Sequence, residues 1–379
     1  MKVMTPLRVF FILGNALLLF RNLSFTSRIN RCIIYCAILV ELFCTIGYSV
    51  LCLYFNVYFG IADVIFINVG LLNSILFVLL SCYHGENFKK LLEFLESNYG
   101  FVDKDNMYLK DFGRKKNIFK LALVTYLTVR TIVFYLSSRY FISDKTLSYF
   151  VVVILKINAF LWDFRYFYEY LLMYALLYMF SEHLECIIRS VVEQKRLVAA
   201  ELKLTGMTVP NDSICSQYVE KISEWFEAFK HVKEAAKLFN TIFSFQLAVM
   251  LTSAVFYVTF FLYDTSVLGI KDGYNSMKII KYIVRLVIFH VHIIVLSRAG
   301  QRLHNNVEHL KRRIGKILIS SLIDEKFYKA TKDLLDYICY GQTRIQAFGS
   351  IDVDMSLPPT FIMLFTSYTI LALQLNNVL

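Results

Sequence analysis

Apolar residues recur along this chain in runs of about 20, and at about 1.5 Å of rise per helical residue such a run matches a hydrocarbon layer about 30 Å thick. The first convincing run covers 32–54, with Glu41 as its only acid, and the second covers 61–82 and carries Asp63, Asn68 and Asn73. A third, 117–140, contains Arg130, and a fourth begins near Leu147 and continues as a helix beyond Phe180. A fifth covers 238–263, a sixth 277–296, and a seventh occupies 357–379. An earlier run, 9–20, is too short to span, contains Asn15 and lacks a small-residue cleavage site after it. It reads as a retained interfacial helix, with a signal peptide as the lesser alternative.

Between the spans, helical periodicity persists where the sequence turns polar. After the fourth, Leu184, Ile187, Ile188, Val191 and Val192 keep one face apolar until Pro210 and its neighbours in 206–211 close the helix. From Asp212 a new stripe rises through Ile214, Tyr218, Ile222, Trp225, Phe226 and Phe229 into the fifth span. The sixth runs on through Leu303, Val307, Leu310, Ile314 and Leu318, and one more helix is expected over 324–348. None of these stripes can bury itself alone, so they predict a helical bundle outside the membrane. The polar stretch 83–116 reads as a hydrophilic connection, and 264–275 as an outer turn.

The fold class expected is an all-α membrane protein with seven transmembrane helices and a cytoplasmic helical anchor bundle. Basic residues set its orientation. Lys and Arg number five in 1–31, seven in 84–116, eight in 181–237 and nine in 300–356, against Arg139, Lys145, Lys271 and Lys278 on the opposite loops. The positive-inside rule then puts the N-terminus in the cytoplasm and the C-terminus outside. The segments are a cytoplasmic or interfacial 1–31, a six-helix ligand-binding bundle over 32–300 with a long cytoplasmic helical loop at about 181–237, anchor helices over 301–356, and a pore-lining seventh helix over 357–379. The net charge of +11 is explained by these loops, and nucleic acid is excluded as a partner.

Eight cysteines include no Cys-x-x-Cys pair and read as reduced thiols, with Cys186, Cys215 and Cys339 in loops inside the cell. His290 and His292 lie two apart on a helix, about 200° from one another, and cannot share one metal ion without help. No phosphate loop, metal motif or nucleophile elbow is present in the sequence, so no catalytic residue, metal or cofactor is expected. Ionisable groups inside spans are costly and face a cavity or a partner. Arg165 and Glu169, four apart, favour an intrahelical pair. Arg130, Asn158 and Arg285 lie nearer the middle or the outer half and are candidates for a ligand pocket, together with Asn68. Trp162, Tyr135 and Tyr257 are candidate walls of the same pocket.

The closing stretch, 344–379, begins as a charged helix, breaks at Gly349, passes Asp352 and Asp354, and restarts as an apolar helix at Pro358-Pro359. Prolines suit the first turn of a helix, where the missing N–H groups had no partner anyway. Along that helix Leu364, Ser367, Leu371, Gln374 and Val378 share a face. Copies of the face around a symmetry axis would enclose a narrow conduit, with Leu371 a dewetting constriction and Gln374 a polar ring. One such helix cannot enclose a pore, so this reading requires an oligomer.

Ser367-Tyr368, five mostly apolar residues and Gln374-Leu375 resemble the C-terminal Thr-Tyr-(five apolar)-Gln-Phe signature of insect gustatory receptors, with Ser367 for Thr and Leu375 for Phe. Ala347, Gly349, Asp354 and Leu357 match the spacing of the segment preceding it. The resemblance implies a tetramer whose last span lines a shared cation pore, anchored by cytoplasmic helices, with a tastant pocket in the outer half of each bundle. It places Leu371, Gln374 and Leu375 at the narrow part and Asp354 where the anchor meets the pore helix. The partners it implies are a small tastant such as a sugar or bitter compound, copies of the chain or sister subunits, and the bilayer of a sensory neuron's dendrite. An odorant-type receptor shares this architecture. A G-protein-coupled receptor would have the inverse topology, and a transporter would show an inverted repeat or broken helices.

Overall fold

The computed structural model describes residues 61–97, 149–205, 212–271, 276–320, 325–340 and 343–375, with isolated helical positions before them such as Tyr35, Val40 and Phe43. The expected interfacial helix 9–20 and the spans 32–54 and 117–140 lie outside the described residues apart from such isolated positions. In chain order the elements are α1 (Ile61–Tyr83), α2 (Gly85–Ser97), α3 (Tyr149–Thr205), α4 (Asp212–Lys271), α5 (Ser276–Ser320) and α6 (Glu325–Tyr340). A strand pair, β1 (Gln346–Ala347) and β2 (Ile351–Asp352), then leads into α7 (Leu357–Leu375).

Helix length dominates the architecture. The 60 residues of α4 extend about 90 Å at the usual rise, three times the hydrocarbon thickness. α3, with 57 residues, and α5, with 45, also outrun the bilayer. Among the described residues four helices are long and apolar enough to cross a membrane, over Asp163–Leu197, Ser216–Tyr263, Leu286–Ile319 and Leu357–Gln374. The stripes that follow the spans are buried as their spacing demands. Leu184, Ile187, Ile188 and Val191 of α3 pack in one core with Tyr218, Ile222, Trp225 and Phe229 of α4 and Leu303, Val307, Leu310 and Ile314 of α5. α4 is the axis, since it touches every other described helix. Outward on α5, Ile283, Val287, Val291, Ile294 and Val295 form an exposed apolar stripe, the surface a helix presents to lipid.

Polar groups inside the bundle join neighbouring helices. Asn73 donates to Ser253 Oγ at 2.7 Å, Arg165 Nη1 to Ser74 Oγ at 2.6 Å, and the Tyr166 hydroxyl to the Met250 carbonyl at 2.9 Å. These bonds tie α1 to α4, α1 to α3, and α3 to α4, and they satisfy groups that would be expensive to bury bare. Arg165 and Glu169 are both buried, and the arginine reaches across to α1.

Three expectations need correction. The connection expected over 83–116 contains α2, whose Phe88, Leu91, Leu92 and Leu95 recur at helical spacing and are buried against α4. The turn expected from Asp264 starts later, because α4 continues to Lys271. The helix expected over 324–348 ends at Tyr340, and the charged segment from Arg344 is extended. Ahead of the turn, Thr343, Ile345 and Ala347 are buried at a spacing of two, the period of a strand.

Candidate functional site: the last helix and the turn before it

α7 opens on a built cap. Asp354 Oδ1 accepts from the Ser356 N–H at 2.9 Å and from the Ser356 hydroxyl, and the Asp354 carbonyl accepts from the Leu357 N–H at 3.1 Å. Pro358 and Pro359 follow in the first turn, where they remove donors that no carbonyl precedes. Further along, Thr366, Ser367 and Thr369 donate to the carbonyls of Ile362, Met363 and Phe365, each four residues back, at 2.7–2.9 Å. The hydroxyl protons are therefore used within α7, which suits a helix in an apolar medium.

One side of α7 belongs to its own chain. Leu357, Phe361, Phe365, Thr369 and Leu373, every fourth residue, are buried against α4 and α5. His290 of α5 meets this stripe edge to face, its ring 6.0 Å from Phe361 and 5.4 Å from Phe365, while its Nδ1 bonds the Leu286 carbonyl at 2.8 Å. His292 points elsewhere and stacks on Tyr170 of α3 at 4.7 Å. The two imidazoles thus serve different helix contacts, as their angular separation predicts.

The other side of α7 is exposed, with no covering element among the described residues. Leu364, Ser367, Leu371 and Gln374, the proposed shared face, are all exposed, with Leu371 at 49%. Tyr368 is exposed beside them, and Leu375 closes the helix with its side chain outside the described residues.

The segment before α7 folds back on itself. Gln346 pairs with Asp352 and Ala347 with Ile351 in antiparallel register. The turn between them places Phe348 at φ 53° and Gly349 at φ 68°, the left-handed region where glycine meets no Cβ penalty. Arg344 Nη1 and Gln346 Nε2 both donate to the Asp352 carboxylate, at 2.6 and 2.8 Å. Those bonds, the amide first, hold the Asp352 carboxyl below the usual carboxylate range.

This knot is fastened to two long helices. The Asn240 side chain of α4 donates to the Arg344 carbonyl at 2.8 Å and accepts from the Gln346 N–H at 3.1 Å. One turn on, Ser244 accepts from the Phe348 N–H with its carbonyl at 3.3 Å and from the Gly349 N–H with its hydroxyl at 3.1 Å. On α5, Gly300 lies under the chain just past β2. A Cβ there would stand 1.9 Å from the Val353 carbonyl oxygen, so only glycine allows the approach. Sequence reasoning did not single out Asn240, Ser244 or Gly300. Their signal was two polar residues four apart in an apolar stretch and a glycine inside a helix, which usually has a packing reason.

The expected pocket residues separate differently. Tyr257 is buried and stacks on Phe289 at 5.6 Å, with Phe261 and Val69 alongside. Asn68, Asn158, Trp162 and Arg285 lie on α1, α3 and α5, but their side chains are outside the described residues, and Arg130 and Tyr135 fall wholly outside them. Among the described residues no cluster of three or more His, Cys, Asp or Glu side chains is placed to hold a metal.

Comparison with known proteins meets this geometry. A family model described as "7tm Chemosensory receptor" matches residues 7–375. A sequence search among curated proteins finds no match. In structure the chain is similar to the insect olfactory receptor OR5 from Machilis hrabei in complex with eugenol, with a TM-score of 0.69 at 13% identity over 97% of this chain and 98% of that one. It is also similar to a second structure of the same receptor, with a TM-score of 0.72 at 12% identity over the same shares. At such low identity the likeness speaks for the fold alone. Spanning helices, the shared fold and a family match over almost the full length agree: the chain is a multi-pass membrane protein and belongs to the 7tm chemosensory receptor family.

Proposed function

We propose that the chain is a gustatory-type receptor subunit, a tastant-gated and poorly selective cation channel of four copies in the plasma membrane of chemosensory dendrites. The observation that carries this reading is the division of α7. Its Leu357-to-Leu373 stripe is buried within the chain, whereas Leu364, Ser367, Leu371 and Gln374 have no covering element among the described residues. Four such faces around an axis give a hydrophobic constriction at Leu371 and an amide ring at Gln374. Residues 301–356 act as the anchor and 357–379 as the pore helix, with the pocket above them in the six-helix bundle. Occupancy of that pocket opens the channel by favouring the open arrangement.

The C-terminal signature, Ser367-Tyr368 to Gln374-Leu375, favours the gustatory over the odorant type. The second reading is an odorant-gated channel of the same architecture, and the fold shared with an olfactory receptor suits both readings. Whole-cell recording from a heterologous cell, across sugars, bitter alkaloids, amino acids and volatile odorants including eugenol, separates the two. Inward current to a non-volatile class without G-protein signalling supports the first reading. Substitution of Leu371 or Gln374 is then expected to alter permeation or leak, and unchanged conduction in both would remove the pore-face assignment.

A further inference from the structure

We propose that Asn240 and Ser244 of α4 are positioning residues that couple the pore helix to the ligand-binding bundle and hold the gate shut when the pocket is empty. The proposal rests on the channel reading above and adds to it the joint through which the gate is worked.

The segment between α6 and α7 has left helical structure, so its backbone groups need other partners. Asn240 supplies them in the manner of a neighbouring strand, one acceptor and one donor presented to residues two apart, Arg344 and Gln346. Ser244 adds two acceptors for the consecutive N–H groups of Phe348 and Gly349. The ring of Phe245 meets that of Phe348 at 5.8 Å. On the far side the Val353 carbonyl is pressed against Gly300 of α5, and the Met355 N–H reaches Gln301 at 3.4 Å. The turn thus cannot shift along α4 without breaking four hydrogen bonds, and two residues past β2 the Asp354 cap begins α7.

The same helix carries Tyr257, 17 residues further on and thus about 25 Å away at the usual rise. A displacement of α4 at the level of Tyr257 is delivered to the start of α7 through one continuous helix and this clamp. That is a contiguous physical route between two sites, with a named joint at its end.

The experiment measures ligand-free caesium current per receptor at the cell surface, with surface density taken from biotinylation. Loss of two hydrogen bonds of ordinary net strength shifts a two-state equilibrium about tenfold, so Asn240→Ala is expected to raise the leak about tenfold with an unchanged reversal potential. Ser244→Ala is expected to move it the same way by less. Adding Phe245→Cys and Phe348→Cys to Asn240→Ala restores the joint covalently, so the leak falls under oxidant and returns with reductant. Should Asn240→Ala stay inside the cell, Asn240→Asp, which keeps the acceptor and loses only the donor, is read in its place. A leak equal to or below that of the unmodified receptor overturns the coupling role, as does a leak indifferent to the disulfide. Leu371→Ala placed on Asn240→Ala separates the two ideas. If it leaves the raised current unchanged, the pore assignment has failed. If it changes channel current while Asn240→Ala alone is silent, only the coupling has failed.

Discussion

At the scale of single residues, Gly300 and Asp352 show how local chemistry fixes the knot. Alanine at position 300 would gain about 1 kcal/mol of helix propensity over glycine. Its methyl, however, would sit 1.9 Å from a backbone oxygen that no rotamer change can move. Overpacking of that kind costs about 1–3 kcal/mol, so the clash wins and Gly300→Ala is expected to lower the thermal midpoint of the detergent-purified receptor. A rise in the midpoint would show that the chain past β2 yields easily. Asp352 adds a pH dependence. Its carboxyl is held below the usual range by Gln346 and Arg344, so its contribution is fully present above the ordinary aspartate value, about 4. That contribution is lost as pH falls through the lowered value. Hydrogen exchange over 344–353, corrected for intrinsic rates, is expected to stay slow from neutral pH down to about 5 and to quicken below about 4. Asp352→Asn is expected to abolish that step.

At the scale of elements, α2 and the β1–β2 pair mark where sequence was readable and where it was not. The long stripes of α3, α4 and α5 were legible because their apolar residues recur over many turns, which no loop does by accident. In α2 only five apolar positions, Phe88, Leu91, Leu92, Phe94 and Leu95, stand among lysines and glutamates, and the charge hid a 13-residue helix. The strand pair was hidden more deeply, since two-residue strands have no period to detect and Ile345 also fits a continued helix from α6. That Leu364, Ser367, Leu371 and Gln374 share one face of α7 was legible from spacing alone. Its clamp on α4 was not, because side chain to backbone bonds between residues 104–106 apart leave no local trace. Burial of α2 gives a direct test. Leu91 is fully buried between α2 and α4, and Leu91→Ala is expected to cost about 2–5 kcal/mol. Chymotrypsin cleavage after Phe88 and Phe94 should then quicken, and an unchanged rate would mean that α2 adds little to the bundle.

At the scale of the whole molecule, two apolar surfaces face outward for different reasons. The α5 stripe through Ile283, Val287 and Val291 is aliphatic throughout, as lipid requires. The exposed side of α7 mixes Leu364 and Leu371 with Ser367, Tyr368 and Gln374, and an amide facing lipid would forgo partners that the lumen of the proposed pore would supply. The two surfaces should therefore behave differently toward oxidation once native cysteines are replaced. If the proposed pore reading holds, a single cysteine at Leu364 lies near the symmetry axis and is expected to form disulfide-linked pairs of twice the 44.3 kDa subunit mass in native membranes. A cysteine at Val287 on the α5 stripe is expected to stay monomeric under the same oxidant. Amine cross-linking of the undisturbed receptor should end its ladder at four subunits. Pairing at position 287 with none at 364 would place α7 at the lipid rim, and the conduit would then have to be bordered by other helices.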